Sequence, residues 1–315
     1  MNFDPTGTRG MGFAPHHTQV MGARNSLLPV SIVHAAAEKP TDFTNFALGA
    51  GIQCAEAATL GMPFEVWKTR MGRFRNESTL EAFGNVYNKG GVGAFWAGTG
   101  PKMVESALKG AILMFSKEAI NDACLGSGLS PTTSGILAGA GGGVCQVSIM
   151  GPCTFLVTGA VNSTTNESTM SRIQRTWAAN GLKGFYPGGT AIAFRQATNW
   201  ASRQGFTEFV RERAKMSLYG NNQAKLSKWE EAGCGVIGGT LACWNHPFEV
   251  ARIEMQSRAD AGQSKLNMVQ VFQLVTKEQG VGGLFKGIVP RVGLGIWQTL
   301  FMVTGVKIIK DALGK

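Results

Sequence analysis

Charge is scarce in this sequence. Asp, Glu, Lys and Arg together make up 16% of its 315 residues, against about a quarter in ordinary soluble domains. Between Ala123 and Asn166 there is no charged residue at all, a stretch long enough to cross the ~30 Å hydrocarbon layer as a helix with its flanks. Further uncharged runs lie between Glu231 and Glu249 and between Arg291 and Lys307. Other apolar stretches keep a few charges, which inside a membrane turn toward protein or a watery cavity. The six cysteines include no C-x-x-C pair, so neither a zinc site nor a disulfide framework is expected, and they read as buried thiols. No nucleophile–base arrangement, metal-ligand spacing or phosphate-binding loop in a fitting context occurs, which argues against an enzyme and implies no cofactor. Gly233, Gly235 and Gly238 do spell G-x-G-x-x-G, but inside an uncharged helical run, where helix packing accounts for them better than a dinucleotide. His246, beside Pro247, reads as packing at a helix kink.

What is present is positive charge, glycine and repetition. A formal net charge of +10 fits anionic lipid headgroups, an anionic solute or nucleic acid, and charge alone does not choose among them. Residues 1–40 form an extension whose stretch from Pro5 to Ala37 has arginine and histidine but no acid, compatible with a mitochondrial transit peptide and equally with a disordered tail.

A three-fold repeat organises the rest. Proline-led segments begin at Pro63 (PFEVWK), Pro152 (PCTFLV) and Pro247 (PFEVAR). Each is followed by an eight-residue glycine frame, Gly91 to Gly98, Gly181 to Gly188 and Gly280 to Gly287, with Trp96, Tyr186 or Phe285 at its sixth position. Each repeat (41–125, 126–215 and 216–315) reads as an apolar helix kinked at its proline, a polar loop with a short amphipathic segment, the frame and a second helix. The spans are 44–71, 99–123, 132–161, 189–213, 229–258 and 287–312. The fold class is therefore an all-α membrane protein of six transmembrane helices in three two-helix repeats, with threefold pseudosymmetry and short helices in the loops. Gly135, Gly139 and Gly143, spaced by four, are expected where helix backbones approach closely.

Counting from the last glycine of each frame superimposes the three even helices. Lys102, Ile192 and Arg291 share offset 4; Glu105, Arg195 and Leu294 offset 7; Ser106, Gln196 and Gly295 offset 8; Lys109, Asn199 and Gln298 offset 11. Offsets 4, 7 or 8, 11 and 15 fall on one helical face. Glu105 and Lys109 have the spacing of a helix ion pair, with Leu113 continuing the line. Arg195 and Arg291, always charged, need water or an anion at such a depth.

The thrice-repeated proline-led segment, Pro-x-acid-x-x-base in repeats 1 and 3, with its later glycine–aromatic element resembles the mitochondrial carrier family over residues 44–312. Three further strings, Thr59-Leu60-Gly61, Arg195 to Trp200 and Pro290 to Thr299, resemble the fungal citrate/oxoglutarate branch of that family. The resemblance implies a multi-pass protein of the mitochondrial inner membrane, with both termini toward the intermembrane space, that exchanges citrate and 2-oxoglutarate by alternating access. It also implies a substrate site of Glu105, Lys109, Leu113, Arg195, Gln196 and Arg291, and a matrix gate of Lys68, Glu249, Glu65 and Arg252. Its partners would be small carboxylates and inner-membrane lipid, cardiolipin included. The chain departs from the pattern in the middle repeat, where Thr154 and Val157 replace acid and base. That leaves Glu249 with Lys68 as one complete gate pair, while Glu65 and Arg252 lack their usual partners. The even-helix gate is degenerate too, with Ser116 and Ala119 after Phe115. These losses leave open a carrier fold retained as a subunit of a larger membrane complex. A DNA-binding role for the basic loop Lys68 to Arg75 is disfavoured, because basic segments beside membrane helices meet lipid headgroups.

Overall fold

The computed structural model describes residues 43–163 and 167–312; the N-terminal extension lies outside the described residues. Every regular element among them is helical. Repeat 1 contains α1 (Phe43–Glu56), α2 (Met62–Arg73), α3 (Thr79–Gly90) and α4 (Thr99–Gly126). Repeat 2 contains α5 (Pro131–Cys145), α6 (Val147–Asn162), α7 (Thr169–Asn180) and α8 (Gly189–Tyr219). Repeat 3 contains α9 (Lys228–Leu241), α10 (His246–Asp260), α11 (Met268–Gln279) and α12 (Ile288–Ala312). α1, α4, α5, α8, α9 and α12 pack each against the next, and α12 returns to α1, closing a six-membered ring. At one end α2, α6 and α10 converge on each other.

The odd spans differ from the single kinked helices expected of them. Each odd span is two helices, broken ahead of its proline rather than bent at it. The breaks are a π-wound turn at Ala57–Gly61, a junction at Gln146 and a 3₁₀ turn at Ala242–Asn245. The physical reason is the amide hydrogen that proline lacks, which leaves a carbonyl upstream without its helical partner. The aromatic of the glycine frame fills that vacancy in two repeats. Trp96 Nε1 donates to the carbonyl of Ala58 at 2.6 Å, and the Tyr186 hydroxyl donates to that of Ser148, four residues before Pro152, at 2.9 Å. Phe285 has no donor, and in repeat 3 the backbone amide of His246 serves the Cys243 carbonyl instead. In repeats 1 and 2 the frame is thus a brace for the kink.

The last glycine of each frame ties one repeat to the next. Gly98, Gly188 and Gly287 have φ of 84°, 72° and 89°, a conformation glycine adopts without strain. A Cβ at Gly98 would stand 3.0 Å from the Cα of Val157, at Gly188 3.3 Å from the Cα of Arg252, and at Gly287 3.1 Å from the carbonyl of Lys68. These three contacts fall at equivalent positions of α6, α10 and α2 and close the threefold circuit. Of the three glycines spaced by four, only Gly143 makes a close approach, to Trp200 and the Gln196 backbone; Gly135 and Gly139 face open space. Gly238, from the G-x-G-x-x-G string, abuts Thr207 of α8, a packing position.

No single helix among the described residues is long and apolar enough by itself to cross a membrane, although the bent pair Thr133–Cys145 and Val147–Asn162, turned by 43°, meets the requirement together. α4 and α8, at 28 and 31 residues, have the length but carry interior charges. Tyr186→Phe should lower stability by about 1 kcal/mol, the size of one hydrogen bond, read as a lower Tm in detergent. An unchanged Tm would show that the hydroxyl does not hold the kink.

Candidate functional site

The convergence of α2, α6 and α10 buries charge on a scale only mutual pairing sustains. Lys68, on α2, lies 2.8 Å from Glu65 of its own helix and 2.8 Å from Glu249 of α10. Arg252 holds Glu249 by two hydrogen bonds, 3.1 and 2.8 Å, and Arg195 of α8 reaches the same carboxylate at 3.2 Å. All four proposed gate residues are buried. Glu65 and Arg252 find no acid or base on α6, where Thr154 and Val157 stand, and are paired by other helices and by their own. Glu65 has Lys68, with Lys102 and Arg252 each at 3.9 Å. Arg252 also donates to Thr158 at 3.2 Å and to Gln256 at 2.8 Å. The Gln256 amide in turn donates to Thr154 at 2.9 Å. A hydroxyl–amide chain therefore occupies the place that the middle repeat's acid and base would fill. Gln256, four residues after Arg252 on one helical face, was the sequence signal for it.

The even helices bring further charges to this plug, Lys102 of α4 toward Glu65 and Arg195 of α8 toward Glu249. Glu105 is buried, but its partner is Lys102 at 3.1 Å, three residues back, and not Lys109 as its spacing suggested. Lys102 wins because it also lies toward Glu65. Lys109 has no carboxylate within 4 Å among the described residues; its backbone carbonyl accepts from Gln146 at 2.8 Å. Gln146, at the α5–α6 junction, accepts from Gln196 at 2.6 Å, so Gln196 is committed to a neighbour rather than free. Leu113 is buried against Gly142 of α5, whose Cβ, if present, would stand 3.2 Å from it, a packing contact.

Arg291, on α12, donates to the Asn245 side-chain oxygen and to His246 Nδ1 at 3.2 Å. His246 Nε2 faces the Lys286 carbonyl at 2.8 Å. A guanidinium only donates and a carbonyl only accepts, so the ring is neutral with its hydrogen on Nε2. Asn245 also donates to the Arg195 carbonyl and to Thr198, both at 3.2 Å. Asn245 and His246 thereby join the helices carrying Arg195 and Arg291, a role beyond kink packing that only the break at Ala242–Asn245 makes available.

Outside the plug runs a rim of cross-repeat contacts. Glu254 of α10, buried, meets Arg73 at 2.5 Å and Arg75 at 2.8 Å. Asp260 meets Arg172 and Arg175 of α7. Lys89 of α3 donates to the carbonyls of Val161 and Ser163. Gly159 leaves room for the Arg172 guanidinium, with which any Cβ would collide. In the loop before α7, the hydrogen bond from Arg175 holds the Glu167 carboxyl below the usual carboxylate range. Its contribution is therefore present above the ordinary carboxylate pKa and is lost as pH falls through the depressed one.

A ring of six paired helical spans around a charged interior, sealed at one end by kinked odd helices, defines a membrane carrier built from three repeats. The family profile described as mitochondrial carrier protein matches residues 39–127, 129–217 and 224–315, and the chain belongs to the mitochondrial carrier family. It is 37% identical over 278 residues to the "Citrate/oxoglutarate carrier protein" of Saccharomyces cerevisiae, covering 84% of this chain and 88% of that protein. It is 26% identical over 268 residues to "Mitochondrial substrate carrier family protein Z" of Dictyostelium discoideum, covering 78% and 86%. To the human "Mitochondrial 2-oxodicarboxylate carrier" it is 25% identical over 249 residues, covering 73% and 81%.

Lys68→Met should lower stability by roughly 3–5 kcal/mol, because it strips Glu65 and Glu249 of their nearest shared cation, whereas Lys68→Arg should retain most of it. A Met variant with the parent's Tm would show that the network is not what holds this end closed.

Proposed function

We propose that the protein exchanges citrate and 2-oxoglutarate, or closely related di- and tricarboxylates, across the mitochondrial inner membrane by alternating access. The observation that carries this reading is charge imbalance. Lys68, Lys102, Lys109, Arg195, Arg252 and Arg291 gather around Glu56, Glu65, Glu105 and Glu249, so a multiply charged anion neutralises what the protein's own carboxylates do not. The printed names of the yeast and human relatives point to the same substrate class.

In this reading the end where α2, α6 and α10 meet faces the matrix and is closed. An anion entering from the open side meets Lys109 and then Arg195 and Arg291. Arginine binds carboxylates through paired hydrogen bonds, lysine as a point charge. A carboxylate on Arg195 competes with Glu249, and one on Arg291 competes with Asn245 and His246. Drawing Arg195 away weakens the cation set around Glu249 and with it the matrix gate of Lys68, Glu249, Glu65 and Arg252. The substrate drives this only by binding the intermediate state better than either open state. Glu105 restrains Lys102, while Gln196 and Leu113 support the site through Gln146 and Gly142.

The test is counter-exchange in liposomes loaded with citrate and supplied with labelled 2-oxoglutarate. Wild type should exchange, and Arg195→Ala or Arg291→Ala should reduce the rate about a hundredfold while the protein still folds. Folded wild-type protein that exchanges no di- or tricarboxylate would overturn the reading and favour a fold kept for structural work in a larger complex.

A further inference from the structure

Most interior cations are already occupied. Lys68, Lys102, Arg195 and Arg252 each have a carboxylate within 4 Å, and Arg291 is held by Asn245 and His246. Arg203 is different: among the described residues it has neither a hydrogen bond nor an ion pair, and its side chain is exposed. It is also not near an end. It stands midway along the 31-residue α8, about 21 Å from the helix start at 1.5 Å per residue. An unpaired guanidinium at that depth costs roughly 3 kcal/mol or more in hydrocarbon unless it meets water, so its place is the wet interior of the ring.

The neighbours agree with that placement. A Cβ on Gly239 of α9 would stand 3.9 Å from the Arg203 guanidinium carbon. One turn further on, the buried Cys243 thiol lies within electrostatic range of both Arg203 and Arg291. Arg203 therefore sits on the same side of the interior as Arg291.

We propose that Arg203 is a further anion-binding residue of the transport path, holding a substrate carboxylate at mid-depth, about 12 Å along α8 from Arg195, while the gate is closed. The proposal rests on the carboxylate-exchange reading and adds a division of labour. A carboxylate at Arg203 has no protein group to displace, so that residue governs capture. Arg195 and Arg291 must release protein partners, so they couple binding to gate movement. Lys109, which also has no carboxylate within 4 Å among the described residues, is the complementary cation on α4.

The experiment compares wild type, Arg203→Gln and Arg203→Lys for citrate uptake kinetics in liposomes and for the rise in Tm that citrate produces in detergent. Arg203→Gln should raise KM about tenfold, the size of one charge-assisted hydrogen bond. Its maximal rate should stay within about twofold, the citrate-induced Tm rise should shrink, and Arg203→Lys should recover part of both. Tm without citrate reports whether the variant folds. Wild-type exchange with an unchanged KM and Tm rise in Arg203→Gln overturns the role of Arg203 and leaves the transport reading intact. Should wild type exchange nothing, the transport reading fails by itself, while a citrate-induced Tm rise that depends on Arg203 would still support the anion site. No Tm rise in wild type overturns the site as well. If Arg203→Gln does not fold, Arg203→Lys takes its place: a raised KM with a reduced Tm rise supports the site, and wild-type values of both overturn it.

Discussion

The ammonium of Lys68, 2.8 Å from Glu65 and 2.8 Å from Glu249, is the contact on which the closed end of the molecule depends. Taking these charges out of water is costly, and the cost is offset only while the whole set stays together. Removing one member leaves the others buried and uncompensated, so an intermediate, half-opened network is disfavoured. That makes this end a two-state element rather than a graded one. The rest of the architecture brings the participants to one place. The proline breaks turn α2, α6 and α10 inward, Trp96 and Tyr186 brace two of those breaks, and the frame glycines fix the spacing between repeats.

Loss of the middle repeat's acid and base changes the kind of bond, not the closure. Thr154, Thr158 and Gln256 form neutral hydrogen bonds where two charges would stand, and Arg252 ties them back to Glu249. Neutral bonds are each weaker than charge-assisted ones, so the seal is strongest between α2 and α10 and weakest along α6. The outer rim is placed to compensate: Asp260 with Arg172 and Arg175 binds α10 to α7, and Lys89 binds α3 to the end of α6.

The fold was legible in the sequence because proline and glycine act through local backbone geometry. Pro63, Pro152, Pro247 and the three frames set the register without reference to any tertiary contact. The site was only partly legible, because partner choice among long side chains depends on tertiary distance. The four-residue spacing of Glu105 and Lys109 suggested a pair, yet Lys102 takes Glu105 because Glu65 draws it from another helix. Likewise, nothing in the spacing of Gln146 and Gln196 foretold that they bond across two helices. Asn245 and His246 looked like kink residues, and become ligands of Arg291 only because the chain breaks there. Leu113 lies on the expected face, but close packing on Gly142 assigns it to the helix seam.

The central claim is that the buried network around Lys68 is one of two states and that a carboxylate shifts the balance between them. Spin labels at the exposed positions Asn88 and Lys277, near the ends of α3 and α11, would report the separation of repeats 1 and 3 by pulsed dipolar spectroscopy in lipid. The account predicts one short distance without substrate and a second, longer population when citrate or 2-oxoglutarate is added. A single distance, unchanged by either anion in protein that binds them, would contradict it.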